Sequence, residues 1–537
     1  MPASGQQGLE AFARRYAARI GKRVWTDVPA SWNSWGGGGG SGGYGTNIDE
    51  ARILQNLDLA AAQFLPHGMK WFLIDDGWEV VEGDWDPRQD RFPDHEVAGV
   101  TVDAMRWMAG QIRERGMIPG IWIAPFTIDP DSATAKAHPD WLADLTPLGH
   151  IFVPADMRPL DLTHPEVRQW LADLFRKLTR DWGYRWIKQD FSYYAMFTTN
   201  LHDPDVTPTE AYVDTLAMLR EVIGADVFYL LVSAVGLTFD AADGNRITLD
   251  NQPWWGDPVK SGDQGFKVTV QTVAHRYWMS HGLWVNHPDL LFFRDPYGLA
   301  MNEARCYASL VALTGGIVKL GESFVAMDAH PGWREVVYRL LPVYPRTARP
   351  LDLFDHEYPE RWLLEAGREG RAWHVLGLFH WGRNREIGGD WDFPEPGDEA
   401  SRVFEVDLDA LGVGDGGDVL AFDAWDGTWA WIGDGRLQAE LSPRTERVLV
   451  LHPRPAHPAV AATSLHLLGG AVEIANESWD AAAGRLRADV ATVAGRATTV
   501  WVMDADRAVA SVRAVSDAGA ELADAAWEAR DGMVVVT

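Results

Sequence analysis

One cysteine in 537 residues, Cys306, excludes an intramolecular disulfide framework and fits a reducing compartment. Cys306 reads as a small buried apolar residue. Positive charge is also scarce: 48 Lys and Arg against 76 Asp and Glu give a formal net charge of −28 and a pI near 4.9. A surface that acidic repels a phosphate backbone and excludes nucleic acid as a partner. No apolar run approaches the ~20 residues of a membrane span. The opening residues, Met1 to Gly8, lack the apolar core of a signal peptide. The expectation is a cytoplasmic protein with no membrane partner. Other absences concern cofactors and metals. The tract Gly36 to Gly43 lacks the Lys-Ser/Thr of a phosphate loop and the spaced glycines of a dinucleotide fingerprint. His275, His281 and His287 do not have zinc spacing, and Asp84, Asp86, Asp90 and Asp94 lack the terminal Glu of a calcium loop. No cofactor and no metal is expected.

Tryptophan is abundant, with 27 against 13 Tyr and 20 Phe. Sugar rings present an apolar C–H face that packs on flat aromatic rings, while their rims need carboxylates and amides as partners. Trp together with Asp therefore suggests carbohydrate. With 47% hydrophobic residues the chain can bury a large core, enough for a barrel-sized domain and one or two smaller ones.

From about residue 24 to 340, β-type apolar runs alternate with amphipathic helical stretches. The strand candidates are Val24 to Trp32, Trp71 to Asp75, Ile118 to Ala124, Arg185 to Asp190, Val227 to Val232, Arg246 to Asp250, Leu283 to Asn286 and Gly316 to Leu320. Helical segments between them include Ile48 to Phe64, Val102 to Arg115, Pro165 to Trp182, Pro208 to Ile223 and Val268 to His281. Eight strands with helical crossovers predict an α/β fold, a (β/α)8 TIM barrel with its site at the C-terminal strand ends. The barrel is expected over residues 1–345. An antiparallel β domain over 346–453 and a second small β-rich domain over 454–537 should follow, joined at the Pro-rich hinge Pro453 to Pro458. These C-terminal segments are expected as β-sandwich domains without chemistry of their own.

Asp75, Asp76, Asp190 and Asp250 all fall at predicted C-terminal strand ends. A single Asp there is a turn former or a helix N-cap, but four at one rim, with Lys188 two residues before Asp190 and Arg246 four before Asp250, point to a site. The period of two along a strand puts Lys188 and Asp190 on the same side. Two carboxylates facing one pocket are what hydrolysis of a sugar acetal needs, one as nucleophile or base and one as proton donor. Asp190 and Asp250 are the catalytic candidates.

Several motifs resemble, in order, those of the melibiase clan, glycoside hydrolase families 27 and 36, and most of all family 36. They are Pro29-Ala30-Ser31-Trp32-Asn33-Ser34-Trp35, Ile74-Asp75-Asp76-Gly77-Trp78, Gly120-Ile121-Trp122-Ile123-Ala124-Pro125-Phe126, Leu160-Asp161-Leu162-Thr163-His164-Pro165, Lys188-Gln189-Asp190, Arg246-Ile247-Thr248-Leu249-Asp250, Trp284 to Asp289 and Leu313 to Gly321. The resemblance implies Asp190 as the nucleophile at the anomeric carbon and Asp250 as the general acid, later base. It further implies Asp75 and Asp76 at the C4 and C6 hydroxyls, Lys188 near C3 and C4, and Arg246 near C2. Trp122 is implied as the aromatic wall of the subsite, with Trp32 and Trp254 as further aromatic candidates. Physically, a cation beside Asp190 keeps a nucleophile ionised. Trp254 and Trp255 are expected to give Asp250 drier surroundings that raise its pKa.

Three departures from the family are visible. Family 36 enzymes usually carry a large N-terminal β-sandwich before the barrel, whereas here the first strand is expected near residue 24; a Cys-Gly segment is replaced by Leu231-Val232-Ser233-Ala234-Val235-Gly236-Leu237, and the glycine tract occupies the first loop. The reading is a retaining exo-α-galactosidase acting on terminal α-D-galactosides of an oligosaccharide or glycoconjugate substrate. The alternatives are α-N-acetylgalactosaminidase, β-L-arabinopyranosidase, a raffinose-synthase-like transglycosylase and, outside enzymes, a non-catalytic galactoside-binding protein. Homo-oligomerisation stays open.

Overall fold

The computed structural model describes residues 5–36, 43–232, 236–256, 265–294, 299–383, 399–414, 416–504, 506–517 and 526–537. The glycine tract at 37–42 and the stretch 233–235 after the fifth strand, on which two of the expectations fall, lie outside the described residues.

The barrel is formed by parallel strands Ala30–Asn33, Trp71–Ile74, Ile118–Ile123, Trp186–Gln189, Phe228–Leu231, Gly244–Arg246, Val285–His287 with Leu290–Leu291, and Val318–Leu320, each hydrogen-bonded to the next. The seventh strand is interrupted at Pro288 and Asp289. Its first half pairs with the sixth strand and its second half with the eighth, while the eighth pairs with the first, so the sheet closes on itself. This is a TIM barrel followed by antiparallel β structure.

Crossover helices run over Glu50–Leu59, Ala104–Glu114, Pro165–Arg176, Pro208–Ile223, Phe266–Arg276 and Met301–Thr314. Local chemistry fixes their starts. Asp49 accepts the Arg52 N–H at 2.8 Å, Asp103 accepts from Met105 and Arg106, and Thr207 forms a capping box with Glu210 behind Pro208. The barrel differs from the sequence reading in three respects. The first strand begins at Ala30 rather than Val24. The sixth strand ends at Arg246 instead of starting there, which puts Asp250 in the loop beyond it. The crossover into that strand carries no helix among its described residues. A helix over Gly5–Arg19, unanticipated from the sequence, docks through Glu10, which accepts from Tyr277 Oη at 2.9 Å and from Arg349 at 2.8 and 2.9 Å.

Beyond the barrel a six-stranded antiparallel sheet runs in the order Arg349–Pro350, Arg361–Arg368, Arg371–His380, Thr445–Pro453, Val419–Asp423, Trp429–Ile432. One face packs Leu376, Leu378, Leu449 and Leu451 against the strand pair Arg402–Asp407 and Arg436–Leu441. The other face joins the barrel core through Trp373, Val375 and Val450. Ion pairs Arg305–Glu446 at 2.8 Å and Arg444–Glu303 at 3.2 Å pin it to the helix Met301–Thr314. A four-stranded sheet, Ala459–Thr463, Val500–Met503, Met533–Val536 and Trp527–Arg530, completes the C-terminal part. Among the described residues, no helix is long and apolar enough to cross a membrane.

Candidate active site

The barrel interior is graded from apolar to ionic, and strand parity explains how. Val28, Trp71, Leu73, Trp186, Phe228, Leu230, Val285 and Ile317 pack as one apolar cluster inside the lower barrel. Two residues further along the same pleat come Asp75 after Leu73, Lys188 after Trp186 and Lys319 after Ile317, with Asp190 a further two after Lys188. Glycine makes room for the large rings: a Cβ on Gly120 would stand 2.9 Å from Leu73 Cδ1 and 3.2 Å from Trp186 Cβ. Above this plug opens a cavity lined by Asp75, Asp76, Asp190, Asp250, Asp289, Lys188, Arg246, Lys319 and the rings of Trp35, Trp122 and Phe191, among others. Carboxylates outnumber cations in that set. The excess negative charge repels an anionic ligand and suits a neutral one rich in hydroxyls.

One half of the site is built around Lys188, whose side chain is buried. Its Nζ donates to Asp75 at 2.9 Å from Oδ2 and 3.1 Å from Oδ1, and lies 3.5 Å from Asp190 Oδ2. Burial pushes the Asp75 carboxyl up, but Lys188 and Lys319, with hydrogen bonds from Lys188 and Asn33, outweigh it and hold the carboxyl below its ordinary value. Burial works against the Lys188 charge, yet Asp75 and Asp190 overcome it and raise this lysine above its usual range. Asp190 has both oxygens engaged: Trp122 Nε1 donates to Oδ2 at 3.1 Å and the Phe191 N–H to Oδ1 at 2.9 Å. Phe191 sits at φ 50°, a left-handed conformation that costs a β-carbon-bearing residue on the order of 1–3 kcal/mol.

The other half is built around Arg246, which donates to Asp250 Oδ1 and lies 3.9 Å from Asp289 Oδ2. The Asp250 side chain is 54% exposed. The Arg246 guanidinium, helped by Lys188, holds the Asp250 carboxyl below its ordinary value. This corrects the expectation that Trp254 and Trp255 raise it. Both indoles are buried, and Trp255 Nε1 donates to Trp381 O at 3.1 Å, away from the cavity. Asp289, at φ 70° in the break of the seventh strand, is buried and raised by that burial, with Arg246 opposing and Asp250 adding to the rise.

Two further groups complete the electrostatics. Asp76 is raised by burial, with its neighbour Asp75 adding to the rise. Glu79 beside it is raised well above the ordinary carboxylate range by burial and by Asp76. Lys319, buried on the eighth strand 4.0 Å from Asp75 Oδ2, is pushed down to about 7 by burial and by Lys188.

Of the residues read from the sequence, Asp75, Asp76, Asp190, Asp250, Lys188, Arg246 and Trp122 meet at the cavity. Trp32 and Trp254 do not, which corrects their candidacy. Trp32 has the outward parity of its strand. It stacks on Phe72 with ring centroids 4.6 Å apart and donates to Glu322 O at 2.7 Å in the barrel core. Trp254 is buried in the loop after Asp250. The sequence reading missed Asn33, Trp35, Asp289 and Lys319 as lining residues. Parity would have found Asn33: counting by two from Lys188 to Asp190 on one strand has its counterpart in Asn33, and not Trp32, on another.

Residues 33–222 match the model of the Melibiase family. A curated relative, α-galactosidase C of Emericella nidulans, is 27% identical over 154 residues, which are 25% of this chain and 19% of that protein. The chain aligns with less than a fifth of the length of such curated relatives. The solved α-galactosidase of Thermus thermophilus, in complex with p-nitrophenyl α-D-galactopyranoside, is 28% identical at a TM-score of 0.53, covering 67% of this chain and 69% of that one. A β-L-arabinopyranosidase of family GH27 from Geobacillus stearothermophilus shares the fold at 16% identity and a TM-score of 0.57, covering 80% and 97%.

Proposed function

We propose that this chain, which carries a melibiase-type catalytic barrel, is a retaining exo-α-galactosidase on the family 36 side of the clan, releasing terminal α-D-galactose from oligosaccharides or glycoconjugates. The observation that carries the reading is the pair of ion-bridged carboxylates, Asp190 beside Lys188 and Asp250 beside Arg246, facing one cavity with an aromatic wall. The bound galactoside of the Thermus relative supports the choice of sugar.

Each role follows from its surroundings. Asp190 has Lys188 nearby and two N–H donors fixing its oxygens, which suits an oriented nucleophile. It attacks the anomeric carbon as the bond to the leaving oxygen breaks, and Asp250 supplies the proton to that oxygen. Water, deprotonated by Asp250, then attacks the same carbon and frees Asp190. Asp250 must therefore be protonated at the moment of bond cleavage, although Arg246 favours its charged form in the free protein. Sugar hydroxyls that engage Arg246 and exclude water weaken that preference, so binding itself loads the acid. Asp75, fixed by Lys188 and Asn33, and Asp76 are the acceptors for sugar hydroxyls, with Trp122 beneath the ring face.

Initial rates on p-nitrophenyl α-galactoside, α-N-acetylgalactosaminide, β-L-arabinopyranoside and α-glucoside test the reading, with Asp190→Asn beside the wild type. Turnover of the α-galactoside that falls at least a thousandfold in the variant is expected. Preference for another sugar, or wild-type rates in Asp190→Asn, would overturn it.

A further inference from the structure

We infer that Asp289 is a positioning residue for Asp250, latching the loop that carries it and sharing its arginine. The inference rests on the assignment of Asp250 as the acid. A single oxygen of Asp289 makes both contacts. Oδ2 accepts the N–H of Asn251, the residue after Asp250, at 2.8 Å, and lies 3.9 Å from Nη1 of Arg246, the residue four before it. Asp250 is therefore held from both flanks by one buried carboxylate on a different strand. The latch is itself braced: Asn251 Nδ2 donates to Pro288 O and Tyr307 Oη, each at 2.9 Å, and Thr269 Oγ1 donates to Asn251 Oδ1 at 2.6 Å. Asp289 can take this place because the seventh strand breaks there, in a left-handed conformation that Asp tolerates better than most residues.

The sharing of Arg246 has a chemical consequence. When Asp250 gives up its charge on protonation, Arg246 keeps a counter-ion in Asp289 and is not left buried and unpaired. The like charge of Asp289 also opposes ionisation of Asp250. Asp250 is faced by Arg246 from the sixth strand, Lys188 from the fourth, Asp75 from the second, Tyr194 from the loop after the fourth, and Asp289. Asp289 is faced in turn by Arg246, Asp250, Lys319, Lys188 and Tyr307. Neutralising Asp289 removes one repulsion and leaves Arg246 wholly to Asp250, and both changes make Asp250 harder to protonate.

The test compares kcat/KM, which reports the first displacement and not the later step in which Asp250 serves as base, for wild type, Asp289→Asn and Asp250→Asn on an alkyl α-galactoside, whose leaving group needs a proton, and on 2,4-dinitrophenyl α-galactoside, whose leaving group does not. For Asp289→Asn the basic limb of kcat/KM should move to lower pH by about one unit, the size of one nearby charge. Activity on the alkyl substrate should fall at least tenfold more than on the aryl one. Equal losses on both substrates with an unmoved limb would mean a merely structural contact and overturn the inference. An Asp250→Asn variant that affects both substrates equally overturns the acid assignment itself. One that spares the aryl substrate, beside an Asp289→Asn that does not, overturns this inference alone. Should Asp289→Asn fail to fold, Asp289→Gly, at ease at positive φ, carries the same comparison.

Discussion

Lys188 stands between two carboxylates of different strands, its Nζ 2.9 Å from Asp75 Oδ2 and 3.5 Å from Asp190 Oδ2. One cation thus couples the residue proposed to read sugar hydroxyls to the residue proposed to attack the anomeric carbon.

Lys188→Met should remove both contacts and leave Asp75 buried beside Lys319 and Asn33 alone. Losing one partner of a buried pair costs about 3–5 kcal/mol, to be read as a fall in thermal stability with at least a hundredfold loss in kcat/KM. The stability loss should shrink in strong acid. The Asp75 carboxyl is lowered in the folded state, so its contribution is present above the unfolded carboxylate range and lost as pH falls through the folded value. A variant of wild-type stability at neutral pH would refute this.

Trp122→Phe keeps a ring against the sugar but deletes the N–H donated to Asp190 at 3.1 Å. A hydrogen bond to a charged group contributes about 1.5–3 kcal/mol. The variant should therefore lose ten- to a hundredfold in kcat with a smaller change in KM. A change confined to KM would mean that Trp122 serves as a wall only.

The two pH profiles should differ. Because Arg246 lowers Asp250 in the free protein, the basic limb of kcat/KM, which reports the free protein, should lie at lower pH than the basic limb of kcat, which reports the sugar-bound state. Coincident limbs would contradict the idea that binding loads the acid.

Glu79→Gln replaces a carboxyl that burial and Asp76 keep protonated well above the usual range. A raised folded value means stability that is full below the unfolded carboxylate range and falls as pH rises toward the folded value. The variant should therefore match the wild type near pH 4 and flatten that decline by pH 8, without loss of activity. Loss of activity at neutral pH would show that Glu79 acts as a charged group.

Much of this was legible in the sequence because strand ends in a barrel carry chemistry and parity carries direction. Lys188 and Asp190 could be placed on one side of their strand from spacing alone, and the helix over Pro208–Ile223 was expected with the bounds it has. Trp32 misled because abundance of Trp says nothing about which face of the pleat a ring occupies. Asp250 misled differently: nearness in sequence to Trp254 and Trp255 suggested a dry carboxyl, but the chain turns those rings into the core and leaves the carboxyl to Arg246. Asp289 was hidden because its role depends on a break in the seventh strand and on a hydrogen bond to Asn251, 38 residues away.

Proton NMR of the sugar first released from an α-galactoside separates retention from inversion at the anomeric carbon. α-Galactose should appear first and mutarotate later to the β form, as a double displacement through Asp190 requires. β-Galactose appearing first, or no release at all, would contradict it.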